Sequence, residues 1–414
     1  MNFGCYVHVP FCAGDKCPYC GFYSVSYSVY LSDDYVPAVI EQGRRSRFPD
    51  ADTLYFGGGT PTVLPEEQLE ELIGTLARVL PLTEDCEISS ECSPETLTPE
   101  KGEVLADSGV TRISLGIQSM LGRDLMTLGR RHKPADARKA VEIVKEHDLD
   151  LSVDLIYGIP GQTPGDWEKS LELALELEPD HISTYGLSYE EGTPFAYALR
   201  KGMITPIGAE TERKMYHSGI EALTGEGFEH YEISNFARPG KESRHNLKYW
   251  TGAGYMGLGP AAHSYIPGPP RWMRMNSRRS LRNYLRRIDS AENPWDGVES
   301  LDLSKRSAEF LMLRLRLTGG FTENDVTVEL PELDTRKYIR LLTPLLSSGH
   351  LVREGERVRI PEKYLYISDS VVLRAVELSE SYVENEMGRE KVDLAKIRKY
   401  VKDFYAPDEP SPQK

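Results

Sequence analysis

The sequence predicts an α/β fold: a partial (β/α)6 TIM-like barrel followed by a C-terminal helical, winged-helix-like domain. Three observations predict it. Between residues 3 and 185, short β-like runs alternate with helical runs six times, which implies a parallel sheet with right-handed crossovers. Several helical runs open with Pro near the first turn and an acid just after, as helix N-termini do. The polar and glycine-rich motifs fall at the ends of the β-like runs, where ligands sit in such sheets. Six repeats rather than eight imply an open or partial barrel.

The strand candidates are 5–9, 53–56, 86–90, 112–116, 151–156 and 181–185. The helix candidates between them are 33–45, 65–79, 99–108, 134–147 and 164–177. Residues 208–288 read as mixed, with helices and irregular segments rich in Gly and Tyr. From about residue 301 the character changes: 307–317 and 337–348 read as amphipathic helices, and 352–360 as a strand–turn–strand wing with Glu354-Gly355-Glu356 at the turn. Residues 301–371 hold 11 Lys and Arg against 11 Asp and Glu, so this module is a poor phosphate reader and fits a packing or lid role. The expected organisation is a barrel over 1–190, a barrel extension over 191–300, a winged-helix-like domain over 301–405 and a disordered tail over 406–414.

The chain has 414 residues and 40% hydrophobic content, enough for one large barrel and a smaller domain. Six cysteines are too few for a disulfide scaffold, and their clustering suits a reducing compartment. The N-terminus lacks a basic and an apolar signal region, and no apolar run approaches the roughly 20 residues of a membrane helix. These features predict a cytoplasmic protein without an integral membrane segment. The net charge of −15 argues against nucleic acid as a partner. One segment opposes that trend: residues 271–287 carry seven arginines and no acid. It reads as the solvated face of an amphipathic helix around 277–288; the sharper alternative is a patch for carboxylates or phosphates.

The most informative stretch is Val9-Pro-Phe-Cys12-Ala-Gly-Asp-Lys-Cys17-Pro-Tyr-Cys20. Three thiolates on one loop can hold three irons of a four-iron cluster and leave the fourth iron open. A zinc knuckle would want a fourth Cys or His at matching spacing, yet none of Cys5, Cys86 and Cys92 forms a second pair. A redox dithiol would not need Cys12. After the second strand comes Gly57-Gly58-Gly59-Thr60-Pro61, whose glycines let backbone approach a ligand; no Lys-Ser/Thr follows, so it is not a P-loop. Further strand ends present Glu91, Gln118 and Asp154, with Arg130 on the next helical segment. Singly each could be a satisfied rim residue. Together they place acceptors for hydroxyls and a donor for a carboxylate around one mouth.

With these segments the chain resembles the coproporphyrinogen-dehydrogenase-like branch of radical-SAM proteins, and within it the HemW-type haem chaperones. The resemblance is carried by Tyr6-Val-His-Val-Pro-Phe-Cys12, Phe56-Gly-Gly-Gly-Thr-Pro-Thr62, Ser114-Leu-Gly-Ile-Gln-Ser119, Val153-Asp-Leu-Ile-Tyr-Gly-Ile-Pro-Gly-Gln-Thr163, Tyr231-Glu-Ile-Ser-Asn-Phe-Ala237, His245-Asn-Leu-Lys-Tyr-Trp250 and Gly257-Leu-Gly-Pro-Ala-Ala-His-Ser264. It implies a 4Fe-4S cluster on Cys12, Cys17 and Cys20. It implies S-adenosyl-L-methionine (SAM) beside Tyr6 and Tyr19, with Gly58, Gly59 and Thr60 at its methionine end. Glu91, Gln118, Arg130 and Asp154 would contact SAM, and Tyr185 and Ser188 would pack on its adenosyl part. The family's reduced cluster cleaves SAM to methionine and a 5′-deoxyadenosyl radical.

The resemblance also implies haem as a third bound group, with His245 or Tyr249 as the iron ligand in a polar loop after the barrel, beside Arg244 and Lys248. The alternative for His245 and Asn246 is that they satisfy loop backbone. The implied function is haem binding for delivery to haem-accepting proteins, with an electron donor as a further partner. Two alternatives stand beside it: an oxygen-independent coproporphyrinogen III oxidase, and a non-catalytic haem carrier with a structural SAM site. Against the oxidase, Phe22 stands where those enzymes carry a further cysteine, and their N-terminal closing segment is lacking. Four residues separate Cys12 from Cys17 where the family has three, and a bulge at Ala13-Gly14 is expected to absorb the extra one.

Overall fold

The computed structural model describes residues 3–268 and 272–387. Its first half is built in order from β1 (Phe3–Val9), α1 (Val29–Arg45), β2 (Ala51–Gly58), α2 (Glu66–Val79), β3 (Leu82–Cys92), α3 (Pro99–Asp107), β4 (Arg112–Gln118), α4 (Pro134–Glu146), β5 (Asp150–Tyr157), α5 (Pro164–Leu175) and β6 (His181–Gly186). The helix starts follow the sequence chemistry. Thr98 and Thr163 accept bonds from Lys101 N–H and Asp166 N–H, with Pro99 and Pro164 just inside, where a missing N–H costs nothing. Along β1, the residues Phe3, Cys5, Val7 and Val9 are buried, while Tyr6 and His8 alternate onto the barrel interior. On the other strands the interior face is polar: Ser89 and Glu91, Arg112 and Ser114, Ser152 and Asp154, His181 and Ser183 all line one cavity.

The sheet does not end with β6. After α6 (Ala209–Gly225) come β7 (Glu229–Glu232), β8 (Asn235–Ala237), α7 (Arg244–Trp250), β9 (Tyr255–Leu258), β10 (His263–Ile266), β11 (Trp272–Ser277), α8 (Leu281–Asp289) and β12 (Trp295–Leu301). All twelve strands form one sheet in the order β12-β11-β10-β9-β1-β2-β3-β4-β5-β6-β8-β7. β9 pairs with β1 in parallel, so the barrel wall gains a seventh parallel strand that the sequence reading left within mixed structure. The other additions are antiparallel.

The arginine-rich stretch behaves as a surface helix and the strand before it. α8 buries Leu281, Tyr284 and Ile288, and its neighbourhood is internally paired. Arg278 and Arg287 share Asp296 at 2.7 and 3.0 Å, Arg286 meets Glu292 at 3.2 Å, and Arg274 meets Glu309 at 3.0 Å. Arg271 lies outside the described residues.

The C-terminal module has the expected hairpin, Val352–Glu354 against Arg357–Arg359, joined by Phe321–Thr322. The single helix expected over 337–348 is two, Thr335–Arg340 and Thr343–Ser347, because Pro344 starts a new turn rather than continuing the old one. Helix Leu303–Arg314 packs on Ser368–Met387, with Ser379 Oγ donating to Ser307 Oγ at 3.0 Å. The module touches both ends of the sheet. Ile233 N–H donates to Arg316 C=O and Thr318 N–H to Tyr231 C=O at 3.1 and 3.2 Å, beside β7. On the other side the Arg306 guanidinium lies 3.3 Å from the centre of the Trp272 ring. The expected tail 406–414 lies outside the described residues. Among the described residues no helix is long and apolar enough to cross a membrane.

Candidate cluster and cofactor site

The loop after β1 carries Cys12, Cys17 and Cys20, all three free thiols, to the mouth of a cavity of about 730 Å3. The extra residue between the first two cysteines is taken up in a tight turn. Gly14 N–H donates to Cys12 C=O at 2.7 Å with φ at 127°, a value open to glycine. Burial first, with neighbouring thiols adding, raises the Cys12 and Cys20 thiols above their ordinary range, so bound iron would supply the drive for ionisation. Arg130 Nη1 donates to Cys17 Sγ at 3.4 Å, the kind of bond that steadies a ligating thiolate. Among the described residues no three His, Cys, Asp or Glu side chains converge on a single ion. A four-iron cluster does not ask for that, since each thiolate holds a different iron. The three half-buried thiols and the Arg130 donor fit such a cluster.

Below the cysteines the cavity is lined by Tyr19, Gly58, Gly59, Thr60, Glu91, Gln118, Arg130, Asp154, Tyr185 and Ser188, the whole expected SAM set except Tyr6. Tyr6 stands apart from this set. It does not line the cavity: its hydroxyl bonds His8 Nδ1 at 3.0 Å, and its ring stacks on Tyr55 and His245 at 6.1 and 6.3 Å. The resemblance implied Tyr6 beside SAM; in the structure its ring stacks on Tyr55, which lines the cavity.

Glu91 is fixed at the end of β3. It accepts from Tyr55 OH at 3.0 Å and from Gly58 N–H at 3.1 Å, where Gly58 has φ at 101°. Burial and the nearby Asp154 push the Glu91 carboxyl up to about 7 against those two bonds. Asp154 accepts from Ser114 Oγ at 3.1 Å, and burial raises it as well. Gln118 holds φ at 69° beside an irregularity in the β4–β5 register, a strained backbone of the kind that marks working sites. Arg130 Nη2 donates to Ser93 Oγ at 2.7 Å and Gly116 C=O at 2.9 Å, while its buried Nε has no partner. An unspent donor beside the cavity fits a carboxylate such as that of methionine. Behind it stands a pair the sequence reading missed, Glu95 and His132 at 3.3 Å. Burial would raise Glu95, but the His132 bond and the Arg130 charge outweigh it and pull the carboxyl down to about 2.

His245 and Tyr249 are not in a polar loop. They sit on α7, capped by Ser243, whose Oγ accepts from Asn246 N–H at 3.3 Å. α7 closes the lower end of the barrel, with His245 N–H and Arg244 N–H both donating to Glu87 at 3.1 and 3.2 Å, and Lys248 paired with Asp52. His245 is 1% exposed. Its Nδ1 bonds Thr53 Oγ1 at 2.9 Å and its Nε2 bonds Tyr249 OH at 2.9 Å. Burial, with Lys248 close by, brings the imidazole down to about 3 and keeps it neutral. Ligation of an external iron by either side chain would require α7 to leave the barrel floor.

A cysteine-rich loop above a partial parallel barrel, opening on one polar cavity, defines a radical-SAM protein, and residues 6–174 match the family model described as "Radical SAM superfamily". The particular family follows from the relatives. The chain is 36% identical over 364 residues to "Heme chaperone HemW" of Synechocystis sp., covering 84% of this chain and 85% of that protein. It is 34% identical over 378 residues to the protein of that name from Mycobacterium tuberculosis, at 89% and 94% coverage. With that from Escherichia coli it shares 33% over 328 residues, at 75% and 82% coverage. The chain belongs to the HemW haem chaperone family. Its fold is also that of "Coproporphyrinogen III oxidase (HemN) from Escherichia coli", with a TM-score of 0.76 over 92% of this chain and 90% of that one, at 22% identity; this likeness bears on fold alone.

Proposed function

We propose that this chain holds a 4Fe-4S cluster on Cys12, Cys17 and Cys20, binds SAM in the adjoining cavity, and binds haem for delivery to haem-dependent proteins. The observation that carries the reading is that three free thiols and ten of the eleven expected SAM-contact residues open on one cavity. Haem as cargo is supported by the name that the relatives bear. The cluster and SAM would supply one-electron chemistry. The chain's own residues bind and orient: Arg130 offers Nε to a carboxylate, Glu91 and Asp154 accept from hydroxyl or amino groups, and Tyr19 presents an aromatic face tilted on Phe195 at 6.2 Å.

The test is anaerobic purification, with iron and sulfide assayed and haem titrated by its Soret band. The expected result is one cluster and one haem per chain, with no conversion of coproporphyrinogen III. Protoporphyrinogen IX formed by the reduced, SAM-supplied protein would overturn the chaperone reading in favour of the oxidase.

A further inference from the structure

Beneath the SAM-contact residues the cavity has a floor that those residues leave unused. Each strand contributes the residue two positions before its SAM-contact or neighbouring residue: Ser89 before Glu91, Arg112 before Ser114, Ser152 before Asp154, His181 before Ser183. At the rise of a strand that puts the floor ~7 Å below the Glu91–Asp154 level. α7 closes it from below, with Ser243 and Asn246 on the cavity wall.

Arg112 is the unexplained group. It is 4% exposed, its Nη1 donates to Lys241 C=O at 3.0 Å, and its buried Nη2 has no partner. Among the described residues no carboxylate is in ion-pair contact with it: Asp150 pairs with Lys241, and Asp154, which feels the Arg112 charge from a distance, accepts from Ser114. Ser89 lies directly opposite Arg112 in the β3–β4 register, is 1% exposed, and its Oγ is likewise unpartnered. The neighbouring imidazole is occupied, since His181 Nδ1 bonds Ser152 Oγ and Nε2 bonds Tyr231 OH, both at 2.8 Å. Burial carries that imidazole well below its ordinary range, so it adds no second positive charge. A buried guanidinium nitrogen without a contacting acceptor is expensive, and native structures pair such groups. Two donors side by side, one of them cationic, match the two oxygens of a carboxylate.

We propose that the barrel floor is a carboxylate subsite in which Arg112 Nη2 and Ser89 Oγ hold the anionic end of a ligand whose carbon chain rises toward the SAM position. The ligand class is a short-chain carboxylate, either free or as the propionate arm of a larger molecule. The proposal rests on the SAM reading for what lies above the floor, and not for the floor itself.

The test uses cluster-loaded full-length protein saturated with SAM and titrated with propionate, following thermal stability and heat of binding. Wild type is expected to gain stability with propionate, Arg112→Gln to lose at least tenfold in propionate affinity, and Ser89→Ala to lose less. Arg112→Gln removes a buried charge that has no contacting partner, so it should fold, as shown by unchanged circular dichroism and cluster content. Haem and haem dimethyl ester distinguish the sources. Loss of haem affinity in Arg112→Gln, with ester binding unaffected, assigns the site to a porphyrin arm; an effect on propionate alone assigns it to a free carboxylate. Propionate binding that survives Arg112→Gln, or its absence in wild type, overturns the subsite. Failure of wild type to bind SAM would sink the proposed cofactor instead, and the propionate titrations without SAM would still judge the floor.

Discussion

Replacing Glu91 by Gln should change how stability depends on pH, and the sign can be worked from the site. The folded carboxyl stands at about 7 against an ordinary 4.5, raised by burial and by Asp154. The folded protein therefore holds a proton that the unfolded chain has released across that window. The contribution of Glu91 to stability is complete below about pH 4.5 and is lost as pH rises through about 7. At about 1.4 kcal/mol per unit the gap amounts to about 3 kcal/mol, and screening by water in the cavity reduces it to about 2 kcal/mol.

The wild-type profile alone would hide this effect. Burial lowers His8 and His230 to about 4 and His245 to about 3, so these imidazoles lend stability as pH rises toward their ordinary values. The difference between the two proteins isolates Glu91. Denaturant unfolding of the cluster-free, SAM-free proteins should find Glu91→Gln near wild type at about pH 4.5, and about 2 kcal/mol relatively more stable at about pH 8. A difference that stays flat across that range would refute the reasoning, because it would mean that Glu91 titrates alike in folded and unfolded chains.

Replacing Cys12, Cys17 and Cys20 together by Ala should abolish bound iron and sulfide while the circular dichroism spectrum persists; retention of wild-type iron would show the ligands to be wrong. Asp154→Ala removes a charged hydrogen-bonding partner at about 1.5–3 kcal/mol, so SAM affinity by calorimetry should fall about tenfold or more with cluster content unchanged. His245→Ala leaves Thr53 Oγ1 and Tyr249 OH without their buried partner, and should cost about 2–3 kcal/mol of stability. If stability holds and the Soret band of bound haem moves instead, α7 opens and the imidazole reaches the iron.

Much of the barrel could be read from the chain because its signals are local. The four helical runs opened by Pro and the six β-like runs lie near where periodicity and capping place them, whereas the first helix starts at Val29, four residues before Asp33, with no acid in its first turn and no side-chain cap. The strands from Tyr255 to Leu301 were harder, since Trp272-Met-Arg-Met-Asn-Ser277 alternates cleanly but sits inside a stretch whose arginines draw the eye to a helix. Similarly, Ser243 ahead of Asn246 is a helix cap whose signal is local and weak within a segment dense with Gly and Tyr. The cavity residues at strand ends were legible as a set. Their supports were not: Ser114 on Asp154, Glu95 and His132 behind Arg130, and Tyr55 in front of Tyr6 depend on which strand lies beside which. That neighbour relation is a property of the assembled sheet.

The position of β1 between β2 and β9 has a consequence for the nascent chain. Gly4 to Val7 pair on one side with residues 53–56, made soon afterwards, and on the other with residues 255–258, roughly 250 positions later. At about 5–20 residues per second that interval is about 10–50 s. Throughout it the first strand synthesised presents an unpaired edge from Gly4 to Val7, a template for mispairing with other chains. A chain released before residue 255 would keep that edge open for good. Translation past β9, rather than completion of the sixth β-α repeat, is thus the point at which the barrel wall around the cysteine loop can close.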